Sequence, residues 1–394
     1  MNAPAEDGRG GDRADPIGPI RTRLASHLAA SASTAEIGTN DPRSGSGSPP
    51  RTISDRDRPP PVASPTAPVH RLNPSSLRVR SLRIDYSPTL LNRFYSELMM
   101  TAFPLDDERD DLDDFVRGLD PDSPDRAAAE AGDDDAPEMK DVLLLLCDSS
   151  SSSSPSSYPV ILAGAAVEYY RHSLCGLLSY IVVSDRYRGL GIGRSLNALA
   201  LDRLQSMHEG KREDLPSRKK SFLPPTSLPD HPPLRAVFAE TNAVSRAGCE
   251  GVEESAIYRR HEVLYRLGYR LVEFPYMQPP LSPGGEPFDR IHLLIYVGKG
   301  DGGEDGGDKV GDHTVPIPQG NTIAMSVPFD FVSDFYGSVF GYRPSSLELY
   351  EGCRYYSMAR KFAKGRDRCA IKPNLPFWDV AESVEKGGGG LRIL

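Results

Sequence analysis

The feature that most constrains the fold of this chain is a glycine-alternating turn between a β-branched run and a helix-forming run. Residues 181–204 read IVVSDRYRGLGIGRSLNALALDRL, with glycine at positions 189, 191 and 193. Glycine has no side chain to pack and loses much backbone entropy on folding, so three glycines at this spacing do not serve a core. The pattern predicts a strand, a tight turn and a helix, with bare backbone that a ligand can approach closely.

Such a junction can bind an anion. The first N–H groups of a helix have no intrahelical partner, and the helix dipole adds partial positive charge there. Arg188 and Arg194 bracket the turn, so we expect a phosphate or pyrophosphate ligand. The dinucleotide pattern GxGxxG fails because Leu196 stands where its third glycine belongs, and the P-loop pattern is absent. A plain strand-to-helix joint without a ligand stays open as the alternative.

Composition predicts that a sizeable part of the chain does not fold. The chain has 394 residues, with 36 glycines, 36 prolines and only 38% hydrophobic residues. Strand and helix patterns alternate in a way that indicates one mixed α/β (α+β) domain. The predicted organisation is a disordered tail (1–75), the domain (76–300) with acidic (106–138) and serine-rich (148–157) loop insertions, a Gly/Asp-rich linker (301–312) and a mainly helical C-terminal extension (313–394).

The acidic insertion has two interpretations. A block of like charges can be an interaction tail, but it is more often a solvated surface insertion, which is the interpretation we favour. The serine run is expected to be an inert hairpin loop, with regulation by phosphorylation as the alternative.

Charge, hydropathy and cysteine usage limit the partners and the compartment. The net charge of −9 argues against a nucleic-acid binder, and no apolar run reaches the ~18 residues of a membrane span. Five scattered cysteines without metal-ligand spacing predict reduced thiols, no metal site and an intracellular, cytoplasmic protein. The acid-free stretch IRTRLASHLAASAS, from Ile20, keeps organelle import open. Nothing in the sequence predicts an oligomeric state.

Several motifs together resemble one family. The turn fits R-x-x-G-x-G, with Arg188, Gly191 and Gly193 in the key places, and it resembles the acyl-CoA-binding motif of the GNAT N-acetyltransferase superfamily. LYRLGY, from Leu264, resembles the end of the last conserved helix of that superfamily. VEYYRHSLCGLLSYIVV and PYMQPPL resemble a bacterial-type branch whose substrate is unknown. The resemblance covers about residues 77–300.

The resemblance implies a fold and a donor site. The fold would be a GNAT-like central mixed β-sheet flanked by helices, with acyl-CoA, most simply acetyl-CoA, lying between the splayed strands GLLSYIVV and AVFAET. An amine-bearing acceptor, either a small molecule or a protein, would attack the thioester directly. Pantetheine would pair with Ile181, Val182 and Val183, and pyrophosphate would bind at Arg188, Gly189, Leu190, Gly191, Ile192, Gly193 and Arg194.

The resemblance also implies acid–base groups. Tyr265 matches the position of a general acid near the departing sulfur, and a packed helix residue is its alternative role. Glu240, at the end of one strand, and Glu168, inside an apolar strand, are each candidates for the base; either could instead be a buried structural carboxylate. The alternative to an N-acetyltransferase is a catalytically inactive acyl-CoA-binding scaffold of the same fold.

Overall fold

The computed structural model describes ten stretches of the chain. It describes only the backbone for residues 28–36, 340 and 354–358. The described residues are 17–36, 72–105, 108–131, 138–149, 158–210, 233–244, 253–279, 290–298, 321–340 and 354–372.

The described strands form one nine-stranded sheet in the order β1-β2-β3-β4-β5-β7-β6-β9-β8. Neighbouring strands pair antiparallel except β4 and β5, which pair parallel. The sheet is therefore mixed, as predicted. The strands are β1 (Arg78–Ser81), β2 (Met139–Cys147), β3 (Val160–Tyr170), β4 (Cys175–Val183), β5 (Ala236–Asn242), β6 (Tyr269–Val272), β7 (Ile291–Tyr296), β8 (Thr322–Ala324) and β9 (Arg368–Lys372).

Local sequence signals explain where several helices begin and end. Ser87 accepts a hydrogen bond from the Leu90 N–H and Pro88 follows it, which is a typical helix start. Gly268, at a φ of 104°, ends the helix before β6. The helices are α1 (Gly18–Glu36), α2 (Pro88–Phe94), α3 (Met100–Ala102), α4 (Leu112–Leu119), α5 (Pro124–Ala131), α6 (Ile192–His208), α7 (Glu254–Leu267), α8 (Ser326–Phe340) and α9 (Arg354–Ala363).

Helices cover both faces of the sheet. Side chains alternate along each strand, so odd and even positions of β2 enter different apolar clusters. One face packs against α1, α6 and α7. On the other face α2 and α4 cover the β1–β4 half, and α8 covers the β5–β9 half. The predicted mixed sheet flanked by helices is confirmed.

The N-terminal segment differs from the sequence-based expectation. Residues 18–36 form α1, although residues 1–75 were expected to be a disordered tail. Ile17, Ile20 and Leu24 are buried in the same cluster as α6, so their burial offsets the ordering cost of the segment. The acid-free stretch considered above as a targeting signal lies in this helix. The other residues of the predicted tail up to 71 lie outside the described residues.

Two other predicted segments contain more structure than their composition suggested. The acidic insertion contains α4 and α5, with Phe115 and Leu119 of α4 buried. The C-terminal extension contributes the helices that were predicted and also the β8–β9 hairpin, which continues the sheet by pairing β9 with β6. Residues 150–157 of the serine-rich loop and the linker 301–312 lie outside the described residues.

A buried carboxylate joins the edge of the sheet to α6. Asp141 of β2 is fully buried and accepts hydrogen bonds from the Ser81 hydroxyl at 2.7 Å and the Arg83 N–H at 2.9 Å. It also pairs with Arg203 of α6, whose Nε lies 2.5 Å away. Because α6 begins at the glycine turn, this pair fixes the helix that follows the turn to the sheet.

Candidate functional site

The centre of the sheet opens where its two parallel strands stop pairing. Cys175–Leu178 pair with Ala236–Ala239, and the described ladder ends there, although β4 continues to Val183 and β5 to Asn242. Ser179 has no partner in the register between β3 and β4, which marks a bulge at this point. A bulge bends its strand. It therefore accounts for the divergence of β4 from β5.

The opening is a cleft of about 1300 Å³ between the diverging strands. At one end lies the glycine turn, and at the other lie Glu168, Glu240 and Asp110. Side chains of α7 form one of its walls, including Val263 and Leu264. A cleft of this size can hold an extended ligand along the free edges of both strands.

The turn has the geometry that its glycines predict. Gly189 and Gly191 have φ angles of 79° and 76°, which L side chains rarely adopt. Gly191 is also the residue before the first turn of α6, and no side chain caps that turn. A Cβ at Gly193 would meet only Val183 Cγ2 at 3.8 Å, an ordinary contact. Packing within the protein therefore does not explain the glycine at 193, whereas close approach of a ligand would.

The predicted donor-binding residues lie mostly along one wall of the cleft. Arg188 pairs with Asp185 at 2.7 Å, and Leu190 and Arg194 belong to the turn but are not among the cleft-lining residues. Those that do line it are Ile181, Val182, Val183, Arg188, Gly189, Gly191, Ile192 and Gly193.

An arginine from α1 also reaches the turn, and the sequence analysis did not identify it. Arg23 donates from Nη1 to the Leu190 carbonyl at 3.4 Å, across 167 positions of sequence. The same nitrogen lies 2.1 Å from the place that a Cβ on Gly191 would take. Its guanidinium therefore lies directly against the bare backbone of the turn.

Glu240 lies one residue beyond the last pair between β4 and β5. It accepts hydrogen bonds from the Tyr276 hydroxyl and from Gln278 Nε2, the latter at 3.1 Å. Burial raises the pKa of Glu240 to about 8, and the negative charges of Glu168 and Asp110 also raise it. A carboxyl group with that pKa exchanges its proton near neutral pH.

Glu168 lies on β3 beside the point where β4 and β5 diverge, and its surroundings differ from those of Glu240 in one respect. It accepts hydrogen bonds from the Tyr170 hydroxyl and from Ser179 Oγ, the latter at 2.9 Å. Burial raises its pKa, whereas the ammonium of Lys140, 3.7 Å away, acts to lower it. Glu168 thus has a cationic partner that favours its charged form.

The acidic insertion contributes to the cleft. Burial raises the pKa of Asp110 to about 7, and its backbone N–H donates to the Tyr180 hydroxyl at 2.9 Å. Glu108 accepts from Asn242 Nδ2 at 2.7 Å and pairs with Arg260 at 3.3 Å. A surface insertion was expected here, and its composition carries no signal for these contacts.

Tyr265 lies on α7, but it is not among the residues that line the cleft. The guanidinium of Arg270 lies over the ring, 3.9 Å from its centroid, and Arg270 Nη1 donates to the Tyr265 carbonyl at 3.0 Å. The cleft is lined by its neighbours Leu264 and Arg266. The role of Tyr265 as an acid stays a prediction.

The remaining sequence expectations concern thiols, metals and membranes. Cys147, Cys175 and Cys369 are free and buried. Within the ten described stretches, no group of three or more His, Cys, Asp or Glu side chains could hold a metal ion. No helix in those stretches has the length and apolar character to cross a bilayer.

Comparisons with known proteins find similarity only among solved structures. No family model and no curated protein matches the sequence. A proposed GNAT-family acetyltransferase from Bacteroides thetaiotaomicron is 16% identical with a TM-score of 0.31, over 56% of this chain and 86% of its own.

Two further structures have more specific descriptions. Spermidine N-acetyltransferase from Vibrio cholerae, in complex with CoA and spermine, is 11% identical with a TM-score of 0.28, over 56% of this chain and 96% of its own. The ribosomal-protein-S18-alanine N-acetyltransferase from Escherichia coli is 14% identical with a TM-score of 0.25, over 57% and 97%. At these scores and identities, the similarity assigns no activity to this chain.

Proposed function

We propose that this chain is an acyl-CoA-dependent N-acyltransferase of the GNAT type, which transfers an acyl group, most simply acetyl, directly to an amine. The observation that carries the proposal is the splayed pair β4 and β5. Their divergence opens a cleft with the glycine turn at one end and a carboxyl group of raised pKa at the other. An acyl donor with a diphosphate at one end and a thioester at the other matches both ends.

The donor would lie along β4. The strand edge at Ile181–Val183 faces the cleft, so its backbone can pair with the amide groups of pantetheine in the manner of an added strand. The uncapped first turn of α6 and the bare backbone of Gly191 and Gly193 can donate to the diphosphate.

The chemistry requires two protons to leave the acceptor ammonium. Glu240 takes the first, and the neutral amine attacks the thioester carbon. A C–N bond forms, the C–S bond breaks, and the second proton passes from the acceptor nitrogen to the departing thiolate. We favour Glu240 over Glu168 as the base because a pKa of about 8 suits proton exchange near neutral pH, and Glu168 has Lys140 as a cationic partner.

The acceptor end of the cleft favours a cationic amine. Glu168, Glu240 and Asp110 line it together. Lys140 already lies 3.7 Å from Glu168 and 3.8 Å from Asp110, yet each of the three pKa values is still raised in part by the negative charge of other carboxyl groups. An ammonium group that enters relieves this repulsion. Small amines and protein amines both satisfy this requirement.

Binding of the donor is tested by thermal unfolding with and without acetyl-CoA. At a ligand concentration of 100 times Kd, stabilisation is about 2.7 kcal/mol, which raises Tm by roughly 5–10 °C. Gly193→Ala should abolish most of this shift, because the new methyl group lies where the diphosphate approaches. The substitution should leave the unliganded Tm unchanged or slightly higher, since Val183 leaves room for the Cβ.

Ser206→Ala, near the far end of α6, is the matched control and should keep the full shift. Wild-type protein without a shift at millimolar acetyl-CoA would exclude donor binding and with it the proposal. Thiol release in the presence of an amine and peptide library then separates the two functions. Binding without thiol release above background would support the inactive scaffold.

A further inference from the structure

We propose that α1 is part of the donor site and that Arg23 contacts the diphosphate of the acyl donor; this inference rests on the proposed function. The juxtaposition that carries it is the guanidinium of Arg23 against Gly191, at the turn where the diphosphate would bind. The glycine turn and α1 are far apart in sequence, so only the folded chain brings them together.

The position of Arg23 follows from how α1 is anchored. Ile17, Ile20 and Leu24 are buried in the cluster that includes Tyr187 and Ile192, on either side of the turn. Arg21 adds a hydrogen bond from its guanidinium to the Leu77 carbonyl at 3.1 Å. The exposed side of the helix therefore presents Arg23 at a fixed distance from the turn.

The contact that Arg23 makes in the protein leaves it available for a ligand. Its hydrogen bond to the Leu190 carbonyl is 3.4 Å long, beyond the usual range for N–H···O bonds, and the side chain is exposed. A guanidinium has five N–H donors and can bind phosphate oxygens with two in parallel. In a diphosphate at the turn, Arg23 would thus find a stronger hydrogen-bond acceptor than the Leu190 carbonyl.

The charge at the turn also supports this assignment. Arg188, the arginine of the motif, already has a carboxylate beside it, because it pairs with Asp185 at 2.7 Å. Arg23 has no carboxylate among the partners described for it, and it brings an additional positive charge to the backbone donors. This charge adds to the attraction that the backbone N–H groups of the turn would exert on an anion.

Calorimetric titration of the full-length chain with CoA tests the proposal. Arg23→Gln should weaken binding roughly 10-fold, the cost of one charge-assisted hydrogen bond to a phosphate, and Arg23→Lys should restore part of it. Arg78→Gln changes net charge equally on β1, outside the cleft, and should bind as wild type does. The loss with Arg23→Gln should be equal for CoA and dephospho-CoA, which share the diphosphate.

Each other result is informative. Tighter binding in Arg23→Gln would mean that the arginine blocks the turn, and it would overturn the proposal. Unchanged binding would overturn it as well, and a loss seen with CoA but absent with dephospho-CoA would overturn the diphosphate assignment. Wild-type protein that binds neither ligand would instead overturn the proposed function, so the two failures are distinguishable.

Discussion

Glu240→Gln is expected to lower the rate of acyl transfer by about 10²–10⁴-fold, the usual contribution of a general base. The glutamine keeps the shape of the side chain and can still meet Tyr276 and Gln278, but it cannot take a proton. In wild-type protein the base acts only when deprotonated, so the rate should rise with pH through about 8 and level off above it. The variant should lack that inflection. The measurement is kcat/KM between pH 6 and 9.5, with an acceptor whose amine pKa lies well above 8.

Glu168→Gln is the matched comparison for this prediction. The charge of Glu168 is one of the causes that raise the pKa of Glu240, so its removal should move the inflection to lower pH. The result that contradicts our assignment is the reverse pattern, in which Glu168→Gln removes the inflection and Glu240→Gln retains it. Glu168 would then be the base.

Asp141→Ala is expected to destabilise the protein by about 3–5 kcal/mol, the range for breaking a buried ion pair. The substitution leaves the guanidinium of Arg203 buried without its carboxylate and removes the acceptor for Ser81 and for the Arg83 N–H. Urea unfolding followed by circular dichroism measures the loss, provided that the transition is two-state.

The control for this prediction is an exposed ion pair on the same edge of the sheet. Asp148 pairs with Arg78 at 2.9 Å, and both side chains are about half exposed, at 50% and 46%. Asp148→Ala should cost less than about 1 kcal/mol because water stabilises both charges. Equal losses in the two variants would contradict our view that burial of Asp141 sets the difference.

The parts of the fold that could be predicted from sequence depend on local chemistry. The turn at Gly189–Gly193 has the positive φ angles that its glycines indicate, and α6 follows it as expected. Glu168 was singled out because it lies inside an apolar strand and Glu240 because it ends a strand beside the expected cleft, and the structure brings both to one cleft. Their binding and catalytic roles stay predictions, as does the role of Tyr265.

The parts that were not predicted depend on contacts between distant segments. Arg23 meets Leu190 across 167 positions, and Glu108 meets Asn242 across 134. Both lie in stretches whose average composition is polar, so a window of sequence assigns them to a tail or a surface loop. Among the side chains of α1 that the structure describes, a few apolar residues, such as Ile20 and Leu24, pack on the domain, too few to raise the hydropathy of the whole segment.

The docking of α1 has a practical and a biological consequence. A shortened version that starts at Ser76, where composition would place the first ordered residue, exposes apolar surface beside Leu77 and lacks Arg23. Affinities measured on such a fragment would not represent the chain that contains α1. If import into an organelle is followed by removal of this leader-like segment, maturation itself would take Arg23 away from the proposed donor site.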